Sequence, residues 1–174
     1  MSYIVRPKNG FAVASMALMT VFAALRVYCF HDLSGFWAWA YLYVPVGAAV
    51  LFVAFLLLFG RRTMLPLCLP VAGGVAFFVI KAFTFSSPLH TALCCALYMA
   101  VLLLTCLTFF GIVRTKYLLY PLYGLPLLVH IGMDVCELFF AAERIPPAEL
   151  VPEASVLCIM AALLCLAIAM ERQK

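Results

Sequence analysis

The sequence predicts an all-α polytopic membrane protein, a helical bundle of six transmembrane helices with both termini cytoplasmic. Three observations lead there. Of 174 residues, 68% are hydrophobic and only 10% are charged, with a mean hydropathy of +1.19. A soluble domain carries about 25% charged residues and about half apolar ones, so this excess exceeds what a single water-facing core would hold. Second, the apolar residues fall into six runs of helical length. Third, the basic residues gather in the tails and in every second connection between those runs.

A bilayer core of about 30 Å needs about 20 helical residues per crossing. The first span is expected at about 11–30 and the second at about 36–59. The turn Gly60–Thr63 leads into a third span at about 64–85, and Ser86–His90 separates it from a fourth at about 91–113. Arg114–Lys116 precedes the fifth, about 118–140. The longest polar connection, Ala141–Glu153, leads to a sixth span at about 154–170. The chain, residues 1–174, reads as a single integral membrane domain with little extramembrane mass and no internal ATPase.

Arg6, Lys8, Arg61, Arg62, Arg114, Lys116, Arg172 and Lys174 occupy the tails and alternate connections, while the remaining connections hold Arg144 and the acids Asp32, Glu143, Glu149 and Glu153. Short cytoplasmic loops retain Lys and Arg, which puts both termini inside and requires an even number of spans. The net charge of +4 follows from this bias, and no basic patch is interleaved with aromatics as nucleic-acid binding would require. The first apolar run is too long for a signal-peptide core and holds Arg26, so it is expected to stay as a helix. A bacterial plasma membrane is the expected location, with the lipid bilayer as surroundings.

All eight cysteines fall inside expected helices and none forms a CxxC pair, so they read as small packing residues. "FGRRTMLPLCLP" (59–70) echoes "FGIVRTKYLLYPLYGLP" (110–126), which suggests two parallel hairpin repeats. Aligning Pro66 with Pro121 sets Lys81 opposite Cys136, one residue from Glu137.

The ionisable residues inside the spans are Arg26, Lys81, His130, Asp134 and Glu137. Arg26, Lys81 and Asp134 each lie about 24 Å from the cytoplasmic end at about 1.5 Å per residue, in the outer half of the membrane. Two cations and two acids neutralise one another, and ionised groups in hydrocarbon pair, face a cavity or mark function. Positions 130, 134 and 137 are i, i+4 and i+7 on one helix face, and Tyr123 continues the stripe. Pro121, Gly124, Pro126 and Gly132 are expected to bend or loosen that helix near Leu125.

Three readings of the five residues stay open. They form a polar cup for a small polar or zwitterionic solute or an ion, a structural charge cluster, or a catalytic or metal site joined by His31 or His90. The last is the weakest, because no HxxxH, HExxH, GxSxG, P-loop or dinucleotide motif occurs. The sequence offers no cofactor site and favours binding over catalysis. Arg26 and Lys81 also have a snorkelling alternative, reaching the outer headgroups. Tyr28, Phe30, Phe36, Trp37, Trp39, Tyr41 and Tyr43 crowd the outer end of the first two spans, as an interfacial belt or as a lid over the cup. Pro45 and Gly47 would let the upper second span lean.

Six short helices, cytoplasmic termini and an outward polar cup make a layout similar to the substrate-binding membrane subunits of energy-coupling-factor vitamin transporters. The similarity is one of size and topology over the whole chain. Those subunits commonly carry AxxxA in the first helix, where it touches the coupling subunit. Here "GFAVASMALM" offers Gly10-x-x-x-Ala14. The resemblance implies a membrane partner subunit and carries over no binding residues.

Overall fold

A computed structural model describes residues 3–59, 107, 116–140 and 147–172. These are almost entirely helical. In chain order they form strand β1 (Tyr3–Val5), helix α1 (Gly10–Phe30), a short α2 (Gly35–Ala38), a π-helical turn (Trp39–Tyr43), α3 (Val44–Phe59), α4 (Lys116–Phe140), α5 (Pro147–Ala169) and strand β2 (Met170–Arg172). The third and fourth expected spans and Lys81 lie outside the described residues, except Leu107, which is helical, and so does the first half of the internal echo apart from Phe59.

The start of α1 is written in "PKNG". The Asn9 side chain accepts the Phe11 N–H at 3.0 Å, and the Asn9 carbonyl accepts Val13 N–H at 3.0 Å. An Asn at this position satisfies one of the donors that a helix N-terminus leaves open. The buried residues of α1, Ala12, Ser15, Met19, Phe22 and Arg26, recur at intervals of three and four and form one stripe. The opposite face, with Phe11, Val13, Val21, Val27 and Tyr28, is exposed and apolar. Thr20 returns its hydroxyl to the Met16 carbonyl at 2.9 Å, so this exposed polar group is satisfied within its own helix.

A short turn follows α1. Gly35 there has φ +64°, a left-handed conformation that a side chain would strain. The chain then returns as α2, the π turn and α3. Pro45 lacks an N–H and its ring crowds the carbonyl four residues back. The backbone answers by widening: Val44 N–H donates to the Trp39 carbonyl, a five-residue step. Gly10–Phe30 and Gly35–Leu58, of 21 and 24 residues, are long and apolar enough to cross a bilayer, about 32 and 36 Å at about 1.5 Å per residue. Only 28% of each apolar window is buried, unlike the core helix of a soluble protein.

The sixth expected span begins earlier than its polarity suggested. α5 starts at Pro147 and takes in "PAELVPE", which reads as loop by composition. Pro147 occupies the first helical position, where φ is preset and no donor is needed. Positions 149 and 153 place acids in the first two turns, where the helix dipole favours them. Pro152 costs one interior backbone bond, and the Ser155 hydroxyl donates to the Pro152 carbonyl at 2.6 Å. α4 is continuous α-helix through Pro121 and Pro126, with no break near Leu125. The irregular turn sits in the second span instead.

α5 is central. It is buried on two sides, at Val156, Ile159, Met160, Ala162, Leu163, Leu166, Ala167 and Ala169. It packs most extensively against α1 and next against α4, while α3 covers α1 from another side through Ala49, Phe52 and Leu56. Small residues let α1 and α5 approach, and the Ser15 hydroxyl donates to the Ala162 carbonyl at 2.7 Å. α4 approaches α5 at Gly124, where an added Cβ would lie 3.9 Å from the Leu164 side chain.

β1 and β2 pair antiparallel, with Tyr3 opposite Arg172, Ile4 opposite Glu171 and Val5 opposite Met170. Val5 and Met170 are buried in the main core, so this ribbon is anchored rather than frayed. The N-terminal end of α1 and the C-terminal end of α5 are thereby held together.

Two outcomes are expected. Ile4→Cys with Glu171→Cys, in a cysteine-free background, should cross-link readily under mild oxidation, because paired Cα atoms sit about 4.5–5.5 Å apart. Ile4→Cys with Leu33→Cys, beyond the far end of the 21-residue α1, should not cross-link. Ser15→Ala should cost about 0.6 kcal/mol in reversible unfolding, the usual loss for an interhelical hydrogen bond, whereas Ser15→Leu should cost about 1–3 kcal/mol by overpacking.

Candidate functional site

Arg26 closes the buried stripe of α1 near its C-terminal end and is 1% exposed. Two residues on the same face, one turn away on either side, supply its surroundings. Its guanidinium carbon lies over the Phe22 ring at 5.4 Å from the centroid and over the Phe30 ring at 5.2 Å. Spacings of i−4 and i+4 set these rings on one helix face, and a desolvated cation over an aromatic face gains about 2 kcal/mol. The snorkelling alternative does not hold for Arg26: its head is enclosed by protein rather than extended to headgroups.

The aromatic residues around the connection from α1 to α3 divide into two sets. Tyr28, Phe36, Trp37, Trp39 and Tyr43 are exposed. Phe30 and Tyr41 are half-buried and turn inward, their ring centroids 5.5 Å apart at an interplanar angle of 38°. Trp37 stands against Tyr41 at 5.7 Å and 36°. Tyr41 lies within the π turn, so the widened backbone is what sets this ring beside Phe30. Tyr41 also packs on Val156 and Met160 of α5 with Leu127 of α4.

α4 presents Tyr123 and His130 inward, 3% and 6% exposed, while Tyr117, Leu125, Leu128, Ile131, Val135 and Phe139 face out. The polar face expected from the sequence thus turns toward the protein at Tyr123 and His130. Positions 134 and 137 continue that face by helical register, and the side chains of Asp134 and Glu137 lie outside the described ones. Lys81 lies outside the described residues altogether. Of the five expected site residues, Arg26 and His130 are therefore placed, both in the interior, from α1 and α4.

His31 is exposed at the end of α1. Its Nδ1 lies 3.0 Å from the Tyr28 carbonyl and its Nε2 3.2 Å from Asp32 Oδ1, so its ring is occupied in capping the helix. Among the described residues no three His, Cys, Asp or Glu side chains gather as a metal site would require. Cys29, Cys158 and Cys165 are half-buried thiols.

Sequence reasoning placed Arg26 but missed its ring platform. The signal was present as Phe22-x-x-x-Arg26-x-x-x-Phe30. The chain matches no protein-family model, no curated protein and no solved structure.

Arg26→Lys should destabilise the protein by about 1–2 kcal/mol although the charge is kept, since an ammonium is more strongly hydrated and cannot stack as a planar fork does. Phe22→Leu and Phe30→Leu should each cost about 1–2 kcal/mol and should be less than additive with Arg26→Lys. Thermal or chemical unfolding in detergent checks each value.

Proposed function

We propose that this chain is a multi-pass membrane protein of six transmembrane helices, with an outward-facing polar site that binds or transports a small polar solute or ion. Both termini are cytoplasmic in this reading. The paired terminal strands support it, because ends held at one face of a bundle imply an even number of crossings, and the distribution of Lys and Arg supplies the side. A bacterial plasma membrane is the proposed location.

The observation that carries the reading is Arg26, almost wholly enclosed in a bundle whose outer faces are apolar. Removing a cation from water costs several kcal/mol, and a charge enclosed among apolar helices marks packing or function. Acids in register on α4, at 134 and 137, supply the opposite charge. In the proposed site Arg26 and Lys81 meet the solute's anionic group, Asp134 and Glu137 meet its cationic group, and His130 lies beneath. Transport would draw on an ion gradient or on a membrane partner subunit.

The enclosure of Arg26 between two rings also favours a second reading, in which the same groups form a structural charge cluster of an assembly or sensing protein. Catalysis is the least supported use. Neutralising pairs separates these readings. A binding site predicts that Asp134→Asn and Lys81→Met both fold and both abolish stabilisation by a small zwitterion such as glycine. A structural pair predicts that each single variant unfolds and the double variant recovers. An enzyme would require an activity lost in a folded His130→Ala.

A further inference from the structure

We infer that the connection from α1 to α3 is a lipid-docking surface, an aromatic collar that seats in the glycerol and headgroup zone of a phospholipid bilayer. Tyr28, Phe36, Trp37, Trp39 and Tyr43 form it. The inference rests on the membrane-spanning part of the proposed reading and is independent of any solute.

The exposed surface changes chemistry in the same order along both helices that are long enough to cross a bilayer. On α1 the large exposed side chains after Phe11 are Val13, Val21 and Val27, and Tyr28 follows at once, 72% exposed. On the returning helix Leu57, Leu51, Val50 and Val44 are exposed, and beyond them come Tyr43, Trp39, Trp37 and Phe36. Tyr28 lies in the last turn of α1, and Tyr43 immediately precedes α3. The Phe30 and Tyr41 rings, 5.5 Å apart, bring the two helices level at this point. The changes from aliphatic to aromatic surface therefore coincide, at the end of α1 remote from the terminal ribbon. The tip between them is polar. His31 and Asp32, with side chains 61% and 91% exposed, pair at 3.2 Å, and Ser34 is exposed.

Hydrocarbon, interface and water follow one another in this order across a leaflet. Trp and Tyr prefer the middle layer, because each joins an apolar ring to a polar N–H or O–H. A surface bound for water has no use for five large rings. A surface bound for hydrocarbon would leave the indole and phenol donors unsatisfied. Two edge-on pairs hold the collar in shape: Phe36 with Trp37 at 5.5 Å and 70°, and Trp39 with Tyr43 at 5.3 Å and 61°. The collar is continuous with the apolar faces of both helices, where the exposed Thr20 hydroxyl is already bonded to the Met16 carbonyl.

Both tryptophans of the chain lie in the collar, so Trp37→Phe and Trp39→Phe each leave a single fluorescent reporter. The test reconstitutes the full chain into phosphatidylcholine vesicles and isolates them by flotation. Emission is then read with iodide on both sides of the membrane, and with phosphatidylcholine spin-labelled near the carbonyl or near the chain terminus. The carbonyl-level label should quench each tryptophan about twofold more than the terminal label, and iodide should quench each at most about half as well as free N-acetyltryptophanamide. Full iodide quenching with both lipid labels silent would put the connection in water, as a lid. Strongest quenching by the terminal label would put it in hydrocarbon. Protection from all three quenchers would put the rings against protein, a second copy if dilution in excess lipid lifts the protection. Each of these outcomes in floated vesicles would overturn the collar and leave the membrane-spanning reading standing. A chain that fails to float with the vesicles would overturn that reading together with the collar.

Discussion

The contact between the first and last long helices governs the rest of this architecture. α1 and α5 are separated by more than a hundred residues, yet they form the most extensive helix pair described. Closing so long a loop costs conformational entropy that grows slowly with length, and three features offset it. Small residues such as Ala12, Ser15, Ala162 and Ala169 let the helices come together. The Ser15 hydroxyl fastens one to the other. The terminal ribbon then fixes the lower ends, with Val5 and Met170 seated in the core. In lipid, where apolar surface gains nothing by helix contact itself, close packing and such bonds are what drive association.

From that pairing follows the placement of the polar groups. The buried stripe of α1 changes character along its length, from Ala12 and Ser15, through Met19 and Phe22, to Arg26. Near the ribbon the stripe is made of small side chains, and toward the C-terminal end of α1 it carries a ring and a guanidinium. The π turn before Pro45 brings Tyr41 over that end, and α4 turns Tyr123 and His130 toward the same interior. Packing at one end thus positions the charged and aromatic side chains at the other.

Much of the helical pattern was legible because hydropathy and length are strong signals in a chain of this composition. The first, second and fifth spans agree with α1, the α2–α3 run and α4 within about two residues. The sixth was read too short, because "ERIPPAELVPE" looks like a loop by polarity although Pro147 suits a first turn and Pro152 is tolerated at the loss of one bond. Pro121 and Pro126 lie in a helix without a break, while Pro45, singled out in the sequence as a point where the second span could lean, follows a π turn whose wider geometry composition does not specify. The terminal ribbon was invisible because its pairing is non-local and each strand has three residues. Arg26 was legible as a charge within an apolar helix. Its ring platform required reading i−4 and i+4 together, and Tyr41's part required the tertiary fold.

The central claim is that the ionisable face of α4 looks into the bundle and not into lipid. Spin labels placed singly along 121–139, with collision rates measured for oxygen and for a polar nickel chelate in a bilayer, test it most directly. The account predicts an oxygen profile with a period of about 3.6 residues, with maxima at Leu125, Leu128, Val135 and Phe139, and with 134 and 137 sharing the minimum of His130. Oxygen maxima at 134 and 137, out of phase with His130, would place the acids against acyl chains and contradict the account.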